Sequence, residues 1–116
     1  MITIYGIPNC DTIKKTIDWF NQHQISFAFH DYKKQGISTA TLNNWCKQVG
    51  WEKLFNKRST TWKELNSPTP ISVNTEKEAI AIMTIHHSII KRPVIEKDGK
   101  VVAVGFKADE LAAALK

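Results

Sequence analysis

Two thiols, Cys10 and Cys46, are the side chains of this 116-residue sequence suited to thiol–disulfide chemistry. Cys10 follows the chain breakers Gly6, Pro8 and Asn9 and stands immediately before Asp11-Thr12, where a helical pattern opens. Free backbone N–H groups and the positive end of the helix dipole meet at such a position, and both favour a thiolate over a thiol. Asp11 works against the thiolate unless it turns outward to serve the helix N-terminus. A local dithiol motif needs a second sulfur three residues on, and position 13 is Ile. Cys10 is therefore expected to be a nucleophile without a neighbouring resolving partner. Cys46 shares a helical stripe with Leu42, Trp45 and Val49, which predicts a buried, structural thiol. The resolving sulfur is then expected from outside the chain, in a small soluble thiol such as glutathione.

Charge is the second chemical resource. Two arginines, Arg58 and Arg92, stand among fourteen lysines. Arginine presents a fixed fork that binds a carboxylate or oxyanion through two bonds, and its charge does not titrate away. Arg92 precedes Pro93, and an X-Pro bond at a strand start is a place where the cis isomer occurs. A cis Pro93 would hold Arg92 beside the sheet edge from which Cys10 emerges. His23, His30, His86 and His87 show no metal-ligand spacing and are expected at the surface or partly buried. No Gly-rich phosphate loop and no Ser-His-Asp constellation can be assembled.

The elements that position these groups follow from periodicity. Residues 2–5 alternate and read as a strand, and Ile13, Ile17 and Phe20 form the apolar stripe of a helix ending near Gln24. Residues 26–31 are a second strand, parallel to the first across the helical connection. Residues 33–36 read as a polar loop. Ser38 or Thr39 caps the helix that carries Leu42, Trp45, Cys46 and Val49, and Gly50 ends it. A short piece over 51–55, a helix capped by Ser59 and running through Leu65, and a break at Pro68 and Pro70 follow. Asn74 or Thr75 opens a helix with Ala79, Ile82, Met83 and His86 at helical spacing. Trp19, Trp45, Trp51 and Trp62 fall at helical positions and are expected in the core. Residues 94–96 and 101–104 flank Asp98-Gly99, a type I′ hairpin signal, and 108–115 is a closing helix. The order β-α-β, helices, β-β-α predicts an α/β, thioredoxin-like fold. Its features are a four-stranded mixed sheet, flanking helices and a helical insertion over about 38–90 of one domain spanning 1–116.

Composition narrows the classes. The length suits one domain, and the net charge of +5 comes from scattered pairs of cations rather than a block, with no aromatic ladder beside a basic stripe. No direct nucleic-acid partner is expected. No run approaches the roughly 20 apolar residues of a membrane span, and the opening Met1-Ile2-Thr3-Ile4-Tyr5 has no signal-peptide character. A soluble, cytoplasmic protein is expected, without a structural disulfide.

Pro8-x-Cys10-x-Thr12 after a strand, Arg58 past a mid-chain helix, and Ile90-Lys91-Arg92-Pro93-Val94-Ile95 together resemble the arsenate reductase (ArsC)/Spx family over essentially the whole chain. Gly105-Phe106-Lys107 is similar to the corresponding stretch of its YffB-type branch. The resemblance implies a nucleophilic Cys10, anion-holding Arg58 and Arg92, and substrate contacts that also draw on Thr12, Pro93 and Lys107. The family's arsenate reductases clamp the oxyanion with three arginines, and the third position falls in Gly105-Phe106-Lys107, which offers a lysine point charge instead of a fork. Spx regulators, which bind RNA polymerase, usually carry Cys-x-x-Cys at the first site, and Ile13 removes that switch. The function implied is a glutathione-dependent thiol oxidoreductase in which Cys10 forms a mixed disulfide. It would have no bound cofactor, glutathione as co-substrate and glutaredoxin as a possible partner. The alternatives are a true arsenate reductase, and an Spx-like regulator that binds RNA polymerase without catalysis.

Overall fold

Alternation along four short strands builds the sheet that carries Cys10. The computed structural model describes residues 1–8, 10–66 and 72–115. Strand β1 (Ile2–Gly6) pairs in parallel with β2 (Ala28–Asp31) and antiparallel with β3 (Val94–Lys97), and β3 pairs antiparallel with β4 (Lys100–Val104). The sheet order is β2-β1-β3-β4, the expected mixed, four-stranded, thioredoxin-like arrangement. Asp98 and Gly99 turn the hairpin with φ of 53° and 84°, as a type I′ turn requires of both central residues.

Register places Phe29, Ile4, Ile95 and Ala103 side by side on one sheet face. Helices α1 (Asp11–Gln22) and α7 (Ala108–Leu115) bring Trp19, Phe20 and Leu111 into the same apolar cluster. Ile4, Phe20, Ile95 and Leu111 are fully buried, and each such side chain contributes roughly 1.5–3 kcal/mol through removal from water. Gly6, the last residue of β1, lets α1 approach closely: a Cβ there would collide with the side chain of Ile13.

The chain forms two compact units, the sheet unit of Met1–Gln35 with Arg92–Lys116, and a helical unit of Gly36–Lys91. In the helical unit, α3 (Thr39–Val49) packs on α6 (Glu76–Ile85), burying Leu42, Trp45, Ala79 and Met83 completely. Helices α4 (Trp51–Leu54) and α5 (Thr60–Leu65) and a 3-10 turn at His87–Ile89 complete it. Ser38, Ser59 and Thr75 cap α3, α5 and α6 by accepting the N–H groups of Thr41, Trp62 and Glu78. Glu78 in turn accepts from the Thr75 hydroxyl at 3.0 Å and the Asn74 N–H at 3.3 Å, a variant of the capping box shifted one residue before the cap.

Several expectations need correction. Residues 33–36 are not all loop, because Tyr32–Gln35 form a short helix, α2. The Asp31 carboxylate accepts the Lys33 N–H at 2.8 Å and the Gln35 side chain accepts the Asp31 N–H at 3.1 Å, which together satisfy the ends of that turn. Helix α1 stops at Gln22, short of Gln24, which adopts a φ of 56°. Strand β2 begins at Ala28 rather than at residue 26. His86 lies just beyond α6, and Trp51 is half-buried instead of a core residue. The breaks read at Asn9, Pro68 and Pro70 lie outside the described residues.

Candidate active site

Sheet topology gathers most of the candidate residues at one end of the sheet unit. Because β1 and β3 run antiparallel with Tyr5 opposite Val94, the end where β1 leaves toward Cys10 is the end where β3 starts after Arg92-Pro93. Val104 also lies opposite Val94, so β4 delivers Gly105-Phe106-Lys107 to the same end. The Gly105 N–H donates to the Pro93 carbonyl at 2.8 Å and ties these last two segments together. Pro93 is buried and the Arg92–Pro93 bond is cis.

Cys10 is the N-cap residue of α1, with extended backbone (φ −120°, ψ 128°) and a half-exposed side chain. Its carbonyl accepts the Lys14 N–H at 3.0 Å and so begins the helix, while its side chain makes no capping bond. The sulfur therefore stands at the helix start without being consumed by it. Thr12 lies in the first turn, where its carbonyl accepts the Thr16 hydroxyl at 2.7 Å and satisfies that fully buried side chain. Lys107 is exposed and stands 3.8 Å from Glu110 one helical turn on, a contact too solvated to immobilise it.

Arg92 is half-buried among groups that strand alternation did not single out. Tyr5 donates its hydroxyl to Glu96 at 2.9 Å, and its ring lies 4.8 Å from His30 and 6.4 Å from Tyr32 between centroids. Burial, the bond to Glu96 and that carboxylate's charge push the Tyr5 phenol up to about 12. Burial raises the Tyr32 phenol further, and the Arg92 charge partly opposes that rise. The available signal was the polar side of β1, where Thr3 and Tyr5 alternate with the core residues Ile2 and Ile4.

Arg58 belongs to the helical unit and is positioned by backbone pairing there. Phe55 and Ile90 form an antiparallel bridge, the Asn56 N–H donates to the Ile89 carbonyl, and the Lys91 N–H donates to the Leu54 carbonyl, both at 2.8 Å. The Asn56 side chain then accepts the Arg58 N–H at 3.1 Å, which fixes the turn between α4 and α5. Arg58 lines a cavity of about 460 Å³ with Trp51, Glu52, Phe55, Lys57 and Lys91. No spacing along the chain marks this cavity, because its walls come from residues some 35 positions apart, joined by the bridge and its flanking hydrogen bonds.

Cys46 lies on the buried side of α3, and burial together with the nearby Glu76 charge pushes its thiol up to about 11. Among the described residues no three His, Cys, Asp or Glu side chains cluster as metal ligands, and no helix is long and apolar enough to cross a membrane.

Comparison with known proteins bears on the family and the fold. The ArsC family matches residues 5–114. An uncharacterised protein of Haemophilus influenzae is 41% identical over 98% of both chains. Among solved structures, the YffB protein superposes with a TM-score of 0.91 at 40% identity, covering 100% of each chain. An arsenate reductase (ArsC) related protein from Brucella melitensis is 43% identical with a TM-score of 0.76, over 99% of this chain and 94% of that one. With a family match over nearly its full length and relatives at 40% identity or more, the chain belongs to the ArsC family.

Proposed function

We propose that this protein is a glutathione-dependent thiol oxidoreductase with Cys10 as its nucleophile. The carrying observation is the position of Cys10, half-exposed at the N-cap of α1, at the sheet end shared with Arg92-Pro93 and Gly105-Phe106-Lys107. The Cys10 thiolate attacks one sulfur of a disulfide, an S–S bond forms to Cys10, and the other substrate sulfur leaves as a thiolate that takes up a proton. Glutathione thiolate then attacks the mixed disulfide and releases Cys10 with its electron pair. Over two such exchanges, two glutathiones are oxidised to one glutathione disulfide and the substrate is reduced to thiols. Arg92 and Arg58 hold anionic groups of the reactants, with Thr12, Pro93 and Lys107 bordering the Cys10 site.

The segment after β4 supports thiol over arsenate chemistry. Stabilising arsenate as sulfur attacks calls for rigid donors on more than one side. Lys107 supplies an exposed, mobile charge where the resemblance to arsenate reductases implies a third fork. Disulfide exchange develops less charge and needs chiefly an accessible thiolate and anchored carboxylates.

The test is turnover of a small disulfide with glutathione, set beside arsenate turnover. Wild type should exchange the disulfide and carry a glutathione adduct on Cys10 in the mass spectrum. Arg58→Ala and Arg92→Ala should each weaken turnover by about 1.5–3 kcal/mol while remaining folded. Steady Cys10-dependent reduction of arsenate that outpaces disulfide exchange would overturn the reading. So would RNA polymerase binding with no exchange at all.

A further inference from the structure

The cavity beside Arg58 has a composition that the mixed-disulfide step does not explain. Its rim carries three cations, Lys57, Arg58 and Lys91, and one carboxylate, Glu52, while Trp51 and Phe55 form an apolar wall. The two rings meet edge to face, 6.2 Å apart and at 85°. Among the described residues, none of the four charged groups forms an ion pair with another. Four charges held on one rim and uncommitted to each other are available to a ligand. The rim is also pre-formed, because the backbone bonds from Asn56 to Ile89 and from Lys91 to Leu54 fix its two sides, and the Asn56 side chain fixes the turn that presents Lys57 and Arg58.

We infer that this cavity binds the peptide part of glutathione, with Glu52 receiving the α-ammonium and Lys57, Arg58 and Lys91 receiving the two carboxylates. This rests on the glutathione-dependent reading and goes beyond it by naming the groups that select the tripeptide. Glutathione carries two carboxylates and one ammonium, the complement of a rim with three cations and one carboxylate. A simple oxyanion has no use for Glu52, which would repel it. A volume of about 460 Å³ lies within the roughly 300–1,000 Å³ typical of small-ligand sites. Trp51 and Phe55 offer the aliphatic carbons of the peptide a surface away from water.

The probe is S-methylglutathione, which keeps the three charges but cannot exchange sulfur. Titrated into the wild-type protein, it should shift the Trp51 indole resonance and bind more weakly as salt screens the rim. Glu52→Gln, at an exposed position, should weaken S-methylglutathione about tenfold and leave the affinity for its N-acetylated analogue unchanged. Lys91→Met should weaken both ligands. Failure of S-methylglutathione to perturb Trp51, or equal loss of both ligands in Glu52→Gln, overturns the assignment. Exchange through Cys10 without binding in this cavity removes the subsite and leaves the oxidoreductase reading standing. Binding here without any exchange does the reverse.

Discussion

Cys10 and Cys46 are the same functional group at two places on a helix, and the difference lies in what the backbone has left to offer. At the start of α1 the first-turn N–H groups have no intrahelical acceptor, and the half-exposed Cys10 stands beside them. In the middle of α3 every such group is consumed by the helix, and Cys46 is 5% exposed within the apolar stripe. Burial and the charge of Glu76 push the Cys46 thiol up to about 11, so its thiolate is scarce at neutral pH. Position on the element, more than residue type, divides a candidate nucleophile from packing material.

The largest expected effect breaks this contrast directly. Cys10→Ser should reduce disulfide exchange to the uncatalysed background. Cys46→Ser should keep exchange while losing stability, by about 1–3 kcal/mol for burying a hydroxyl in an apolar stripe. Iodoacetamide labelling followed by mass spectrometry should modify Cys10 well ahead of Cys46 at pH 7.5. With its thiol near 11, Cys46 is thiolate in roughly one molecule in a few thousand there. Equal labelling rates in the folded protein would erase the distinction.

A smaller effect concerns how each unit holds its part of the site. Gly6→Ala forces a methyl group into Ile13 at the end of β1 and should destabilise the protein by about 1–3 kcal/mol, read from urea unfolding. Ser59→Ala removes the cap of α5 just after Arg58 and should cost about 1 kcal/mol. If Gly6→Ala proves the milder change, close packing of α1 on β1 is not what positions Cys10.

The smallest effect is a pH slope. The Tyr5 phenol titrates near 10.0 when unfolded and near 12 when folded, so the folded state keeps its proton longer. Its stabilising contribution is complete below pH 10 and is lost as pH rises from about 10 to about 12. Cys46 acts in the same direction between about 9 and 11. Measured in a Cys46→Ser background, Tyr5→Phe should flatten the fall in stability above pH 10. An unchanged slope would show that burial and the neighbouring Glu96 do not raise the proton affinity of Tyr5.

Local sequence chemistry determined much of this molecule. Asp98-Gly99 specifies its hairpin because both residues must take positive φ, and Ser38, Ser59 and Thr75 specify helix starts because their oxygens can reach the free N–H groups. Cys10 announces itself by standing between a strand and a helix, and Cys46 by sharing a stripe with Leu42 and Trp45. Even α2 was legible in principle, through Asp31 and Gln35, although a polar stretch of four residues has too little periodicity to show it. Only tertiary structure decided which distant residues share a place. The β2-β1-β3-β4 order brings Cys10, Arg92-Pro93 and Lys107 to one sheet end, and the Phe55–Ile90 bridge closes the cavity around Trp51, Glu52 and Lys91. Register and long-range hydrogen bonds create those neighbourhoods, and no spacing along the chain encodes them.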